Sequence, residues 1–218
     1  MSYELRWFHK GNIPKKIDRW FTNNRFFKKQ TPTSYKFSDC YLHTTELKCV
    51  SVKFRGNKLD IKWRKADYPI SQMNGVVNGM VEDWLYWTWN DAQAEDKIDL
   101  FIKRNKNNDP WIILNKKRLQ RKYNIISSSS STNNHTLMPI TDKHEMDKAD
   151  CAIELTRIDI KGKLWWSIGI DAYYKNGEDS SDCKRHMKIA VDMFFRDYPK
   201  HNLHTKNSFS YPQLLSRI

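Results

Sequence analysis

The sequence predicts an α+β chain built mainly on antiparallel strands, and three observations carry that prediction. Most of the 218 residues alternate apolar and polar side chains with period two. Turn signals at Gly56-Asn57, Asn74-Gly75 and Lys161-Gly162 divide the alternating runs. Helical spacing appears in only two stretches, one near each end.

Taken in order, Tyr3, Leu5 and Trp7 interleave with Glu4, Arg6 and Phe8 as a first strand. Residues 13–25 shift to helical spacing, with Pro14 suited to a first turn and Ile17, Trp20 and Phe21 on one face. Alternation returns at 35–44 and at 50–55, where Val50, Val52 and Phe54 oppose Ser51, Lys53 and Arg55. Gly56-Asn57 supplies the positive-φ residues of a tight hairpin, and Leu59 to Arg64 forms the return strand. Further strands are expected at 79–89, 98–103, 111–123, 151–158 and 164–173. Residues 126–149 include a serine-rich run and show no period, so they are expected to form a flexible loop inside a single domain spanning 1–218. A second helix is expected at 182–198, capped by Asp182, stopped by Pro199, and burying Met187, Ala190, Val191, Phe194, Phe195 and Tyr198.

Composition bounds the function. Hydrophobic residues at 39% and aromatics at 13% allow a sizeable core, which excludes wholesale disorder. Lys+Arg 38 against Asp+Glu 25 leaves +13, which points to nucleic acid, phosphorylated small molecules or an anionic surface. The opening MSYELRWFHK has no apolar signal region and no run approaches the roughly 20 residues of a membrane span, so a cytoplasmic protein without membrane contact is expected. Cys40, Cys49, Cys151 and Cys183 are widely spaced and read as reduced thiols, not as a zinc site or disulfide scaffold. Seven scattered histidines give no metal pair, and no GxxxxGK[ST] or GxGxxG run occurs.

The informative feature is a charged strand face. Residues two apart on a strand share a face, so Arg6 lies beside Glu4, Lys53 beside Arg55, Lys62 beside Arg64, and Lys116 beside Arg118. On an open sheet this face is simply solvated. In a closed barrel it lines a lumen, and buried unpaired cations cost several kcal/mol each by order of magnitude, so the lumen requires a polyanion. Glu4, Glu154 and Asp171 suit a hard divalent ion such as Mg²⁺ or Mn²⁺, which takes one or two carboxylates and leaves other positions to water and phosphate. Equally, they could neutralise neighbouring cations.

These segments resemble the CYTH superfamily, the triphosphate tunnel metalloenzymes. YELRW at 3–7 stands where that family opens with an ExExK strand, and YLHTTEL at 41–47 resembles its YxDT element, with His43 in place of the aspartate. VKFRGNKLDIKWR at 52–64 resembles the basic hairpin, LNKKR at 114–118 a later basic strand, and CAIELT and WWSIGIDA the closing acidic strands. The resemblance implies a closed antiparallel tunnel with flanking helices that binds triphosphate, a nucleoside triphosphate or an RNA 5′ end. It also implies a Mg²⁺- or Mn²⁺-dependent phosphohydrolase. Arg6, Lys53, Arg55, Lys62, Arg64, Lys116 and Arg118 would grip phosphate, while Glu4, Glu154 and Asp171 would hold the metal. One opening glutamate replaces the usual two, so anion binding is the firmer expectation and hydrolysis the further one.

The alternative is a single-stranded nucleic-acid-binding protein without catalysis, using aromatic stacking and phosphate contacts. Trp7, Trp63 and Trp87 lie opposite the basic side chains, as core residues would, which argues against a stacking platform. Lys15, Lys16, Lys28, Lys29, Lys184 and Arg185 remain available as an external basic skin.

Overall fold

The computed structural model describes residues 1–23, 27, 30–43, 46, 48–71, 77–90, 104, 110–127, 135–174, 180–199 and 203–218. The strand expected at 98–103 and the Asn74-Gly75 turn lie outside them. The described strands are β1 (Ser2–Lys10), β2 (Thr33–Leu42), β3 (Val50–Arg55), β4 (Lys58–Ser71), β5 (Asn78–Asn90), β6 (Trp111–Ser127), β7 (His135–Pro139), β8 (Cys151–Ile160) and β9 (Lys163–Tyr173). The described helices are α1 (Lys15–Asn23), α2 (Ser180–Phe194) and α3 (Tyr211–Leu215), with short 3-10 turns at Lys143–Lys148 and Thr205–Asn207.

Eight strands close into an antiparallel barrel in the order β2-β3-β4-β5-β1-β9-β8-β6, with β6 pairing back onto β2. The closure rests on the length of β6. Residues 114–123 pair with β8 on one edge, and residues 111–120 pair with β2 on the other. Tyr123 pairs with both Cys151 and Pro139, so β7 continues the edge that β2 leaves.

Closure turns the period-two pattern into inside and outside. Residues directly opposite in antiparallel register share a face. Glu4 opposes both Asp171 and Glu82, Tyr41 opposes Lys53, and Lys53 opposes Asp60, which sets the inward parity around the wall. The other parity carries Tyr3, Leu5 and Trp7 from β1 and Ile153, Leu155, Ile168 and Ile170 from β8 and β9. These pack under Ile17, Trp20 and Phe21 of α1 and Met187, Ala190, Val191 and Phe194 of α2. The main core therefore lies between the barrel's outer wall and two helices, as an apolar stripe on each helix requires.

Several boundaries differ from the sequence expectation. β4 continues past Arg64 to Ser71 through a bulge between Arg64 and Ala66, because β5 is long enough to pair with all of it. The 126–149 stretch contains β7 and a 3-10 turn, since β6 overruns its barrel partners and leaves an edge to be paired. α2 starts at Ser180 and ends at Phe194, placing Asp182 within its first turn, yet Phe195 and Tyr198 remain in the core. Trp63 and Trp87 are not core residues. They face outward where no described helix covers the wall, and are 63% and 55% exposed. None of the four cysteines forms a disulfide, and Cys49 is exposed while the others are buried.

Candidate functional site

The inward side chains surround a cavity of about 260 Å³. Arg6, Lys53, Arg55, Lys62 and Arg118 line it, and so do Glu4, Glu154 and Asp171. Eight of the ten residues singled out from sequence therefore meet on one cavity. Lys116 and Arg64 are inward but do not line it. The Lys116 ammonium is fully buried between Asp39 (2.7 Å), the Tyr41 hydroxyl (3.1 Å) and the Tyr211 ring (3.5 Å to its centroid). Arg64 turns to Glu82 at 2.5 Å and to Asp67 at 3.4 Å.

The cations are caged by acids. Arg6 bridges Glu154 and Asp171, the latter at 3.8 Å, and Arg118 reaches Glu154 at 2.9 Å. Lys62 pairs with Glu4, and Lys53 with Asp60 at 3.3 Å. Arg55 forks onto Asp39 through two hydrogen bonds of 2.6 and 2.9 Å, the bidentate geometry that makes arginine–carboxylate contacts strong. Glycine makes one of these contacts possible. Gly169 opposes Arg6 across β1 and β9, and a Cβ there would lie 2.8 Å from the guanidinium carbon.

Three acids of this network, Asp39, Asp60 and Glu82, are absent from the sequence-predicted set. Asp60 carried a signal, since it shares the face of Lys62 and Arg64 two and four residues on. Asp39 and Glu82 carried a weaker one, the parity of Tyr41 and Trp84, which had no assigned side before closure was known.

Burial dominates the electrostatics. It lowers the Lys53 and Lys116 ammonium groups to about 7, against the opposing pull of Asp39. Burial also raises Glu82 to about 7, partly offset by Arg64, and raises Asp171 to about 7 with help from Glu154 and Glu4. Asp39 goes the other way. Burial would raise it, but Lys116, Lys53 and Arg55 together hold it far below the usual carboxylate range. Glu154 is likewise lowered to about 2, because Arg118 and Arg6 outweigh its burial.

One end of the lumen is filled by apolar groups. Phe8, Ile112, Leu114, Ile158, Ile160 and Trp165 point inward there and pack with Phe209, Leu214 and Leu215 of the C-terminal segment. Pro212 and the Gln213 side chain, which accepts from the Ser210 amide at 2.9 Å, start the short helix α3. Tyr211 projects from it against Tyr41 and Arg6, with ring centroid distances of 5.6 Å to Tyr41 and 5.3 Å to the Arg6 guanidinium carbon. The cavity is thus walled on that side by a tyrosine.

Among the described residues, no three His, Cys, Asp or Glu side chains come close enough to hold a metal. The oxygen donors do fit Mg²⁺ or Mn²⁺ in kind. Glu4 directly opposes Asp171 and Glu82, and Mg²⁺ ordinarily takes one or two carboxylates plus water and phosphate. No described helix is long and apolar enough to cross a membrane.

No family model matches the chain, and no curated protein matches it. Among solved structures it is similar to a conserved hypothetical protein, Pfu-838710-001, from Pyrococcus furiosus, at 12% identity and TM-score 0.46, over 98% of this chain and 99% of that one. The PH1819 protein of Pyrococcus horikoshii OT3 aligns at 13% identity and TM-score 0.45 over 100% of this chain and 99% of its own. The PH1012 protein of the same organism aligns at 14% identity and TM-score 0.40 over 88% and 89% of the two chains.

Proposed function

We propose that the barrel lumen binds a triphosphate group, free or carried by a nucleotide, and hydrolyses it with Mg²⁺ or Mn²⁺, as the resemblance to the CYTH superfamily implies. The observation that carries this reading is the convergence of Arg6, Lys53, Arg55, Lys62 and Arg118, from four strands, with Glu4, Glu154 and Asp171 on one cavity. Guanidinium forks suit phosphate oxygens, and lysines add compact charge.

Entry of a polyphosphate would exchange partners within the cage. Phosphate oxygens would take Lys62 from Glu4 and Arg6 from Asp171, leaving those opposed carboxylates free to hold the ion. When bound, the ion would polarise the phosphoryl group and orient a water for attack. Anion and metal should therefore bind with positive cooperativity, each removing the charge that opposes the other.

The reading extends to an RNA or nucleotide end because Tyr86, on the inward face directly opposite Lys62, is 53% exposed. A half-exposed ring beside a phosphate-binding lysine supports stacking of a base.

Isothermal titration with tripolyphosphate and ATP, with and without Mg²⁺, tests the proposal. Expected are tight binding, Mg²⁺ affinity that appears only with polyphosphate present, and phosphate release. Equal weak binding of mono-, di- and triphosphate, unchanged in Arg118→Gln, would refute it.

A further inference from the structure

Among the described residues, the charges of the lumen account for little of the chain's positive surplus. Inside, Arg6, Lys53, Arg55, Lys62, Arg64, Lys116 and Arg118 face Glu4, Asp39, Asp60, Glu82, Glu154 and Asp171, so these named groups almost cancel. The whole chain carries +13. A triphosphate tunnel does not explain that excess, which must answer to something else.

The outer wall shows where part of it is organised. Lys36 of β2 stands directly opposite Lys117 of β6, and Lys117 directly opposite Arg157 of β8. All three are exposed. They point away from the lumen, since their neighbours Phe37 and Lys116 face inward against Arg55, Arg118 and Tyr41. No ion pair engages any of the three among the described residues. Directly opposed like charges destabilise a strand pair, and here they are stacked across three strands. The free protein thus carries a standing repulsion that an anion would relieve.

The same wall forms a groove of about 540 Å³ where Asn12 and Asn115 add side-chain amides beside the cations, the Asn115 oxygen accepting from the Ser38 hydroxyl at 2.7 Å. The acid bordering it, Asp159, is committed to the Gly162 amide at 2.8 Å. Two strand spacings set the row at about 10 Å, long enough for successive phosphates and too long for one. We infer that Lys36, Lys117 and Arg157 form the centre of an external track for the sugar–phosphate backbone of a single-stranded nucleic acid. Phosphate contacts from lysine, arginine and side-chain amides are what position a protein on such a backbone. The inference stands apart from the lumen and does not require it to bind triphosphate.

The test is fluorescence anisotropy with a labelled oligouridylate 20-mer carrying a 5′ hydroxyl, at 50 and 200 mM salt. The wild-type chain should bind with steep salt dependence. The triple variant Lys36→Gln/Lys117→Gln/Arg157→Gln should bind at least tenfold more weakly at 50 mM. It should also lower the slope of log affinity against log salt by about 2, near 0.7 per lost contact. A control removing three external charges elsewhere, Lys184→Gln/Arg185→Gln/Lys206→Gln, should change binding much less. Thermal melts verify that both variants fold. A triple variant with wild-type slope, a control that loses as much, or equal competition by polyglutamate would each overturn the track. Tripolyphosphate titration of the same variants reads the lumen independently, so failure of one reading is distinguishable from failure of the other.

Discussion

Gly169 lies directly across the β1–β9 pair from Arg6, and the missing side chain is the space the guanidinium occupies on its way to Glu154 and Asp171. Gly169→Ala should therefore displace Arg6 while leaving the strand pairing intact, since the backbone at 169 has no positive φ to protect. Losing one charge-assisted phosphate contact costs on the order of 1.5–3 kcal/mol, so tripolyphosphate affinity should fall roughly 10- to 100-fold. Titration calorimetry reads the loss. A full-affinity Gly169→Ala protein would show that Arg6 does not contact the ligand.

Proton linkage offers a second prediction. Lys53 and Lys116 lose a proton near pH 7, and Glu82 and Asp171 lose theirs in the same range. The lumen's net charge therefore falls as pH rises from 6 to 8, and metal-free tripolyphosphate binding should weaken over that interval. Phosphate favours the protonated ammonium of Lys53, so binding at pH 7.5 should take up protons, seen as a buffer-dependent enthalpy. The stability sign differs by group. The lysines sit below their ordinary 10.5, so the unfolded chain binds more protons between about 7 and 10.5 and their contribution rises with pH there. Glu82 and Asp171 sit above their ordinary values of 4.5 and 3.8, so the folded chain holds more protons below about 7 and their contribution falls as pH rises toward it.

Asp39 supports a third. It is wholly buried and held by Lys116 and Arg55. Removing one member of a buried ion pair leaves an uncompensated charge, typically costing about 3–5 kcal/mol. Asp39→Ala should destabilise by that order in urea melts. Asp39→Leu/Lys116→Met should recover much of the loss, because the second substitution removes the stranded ammonium. A double variant no better than the single would assign the cost to the Arg55 guanidinium, which also loses its fork onto Asp39.

These examples mark what was legible in the chain. Strand periodicity alone put Lys53 with Arg55 and Lys62 with Arg64, because adjacency along one strand needs no partner. Pairings such as Arg55 with Asp39, or Arg6 with Glu154, depend on register between strands distant in sequence. That register is set by β6 bridging β2 and β8, a closure no local pattern encodes. Lys116 illustrates the consequence. Its inward face was predictable, yet whether it meets ligand or protein is decided by Tyr211, which arrives from the far C-terminus to cover it.

The tryptophans make the same point and give the last prediction. Trp7 and Trp63 have the same apolar parity, opposite the charged face, and both read as core. Parity fixes the side of the wall and not what lies over it. α1 and α2 cover β1, β8 and β9, so Trp7 is fully buried, its ring 5.6 Å edge-on from Phe195. No described helix lies over the stretch of β3, β4 and β5 that carries Trp63, Trp87 and Trp89, and these stay 63%, 55% and 40% exposed. Trp7→Ala should cost about 3–5 kcal/mol, as large-to-small changes in a packed core do. Trp63→Ser should stay within about 0.5 kcal/mol, as surface changes do. Chemical denaturation of both variants checks the contrast. A Trp63→Ser protein destabilised as strongly as Trp7→Ala would mean that this face is covered in solution.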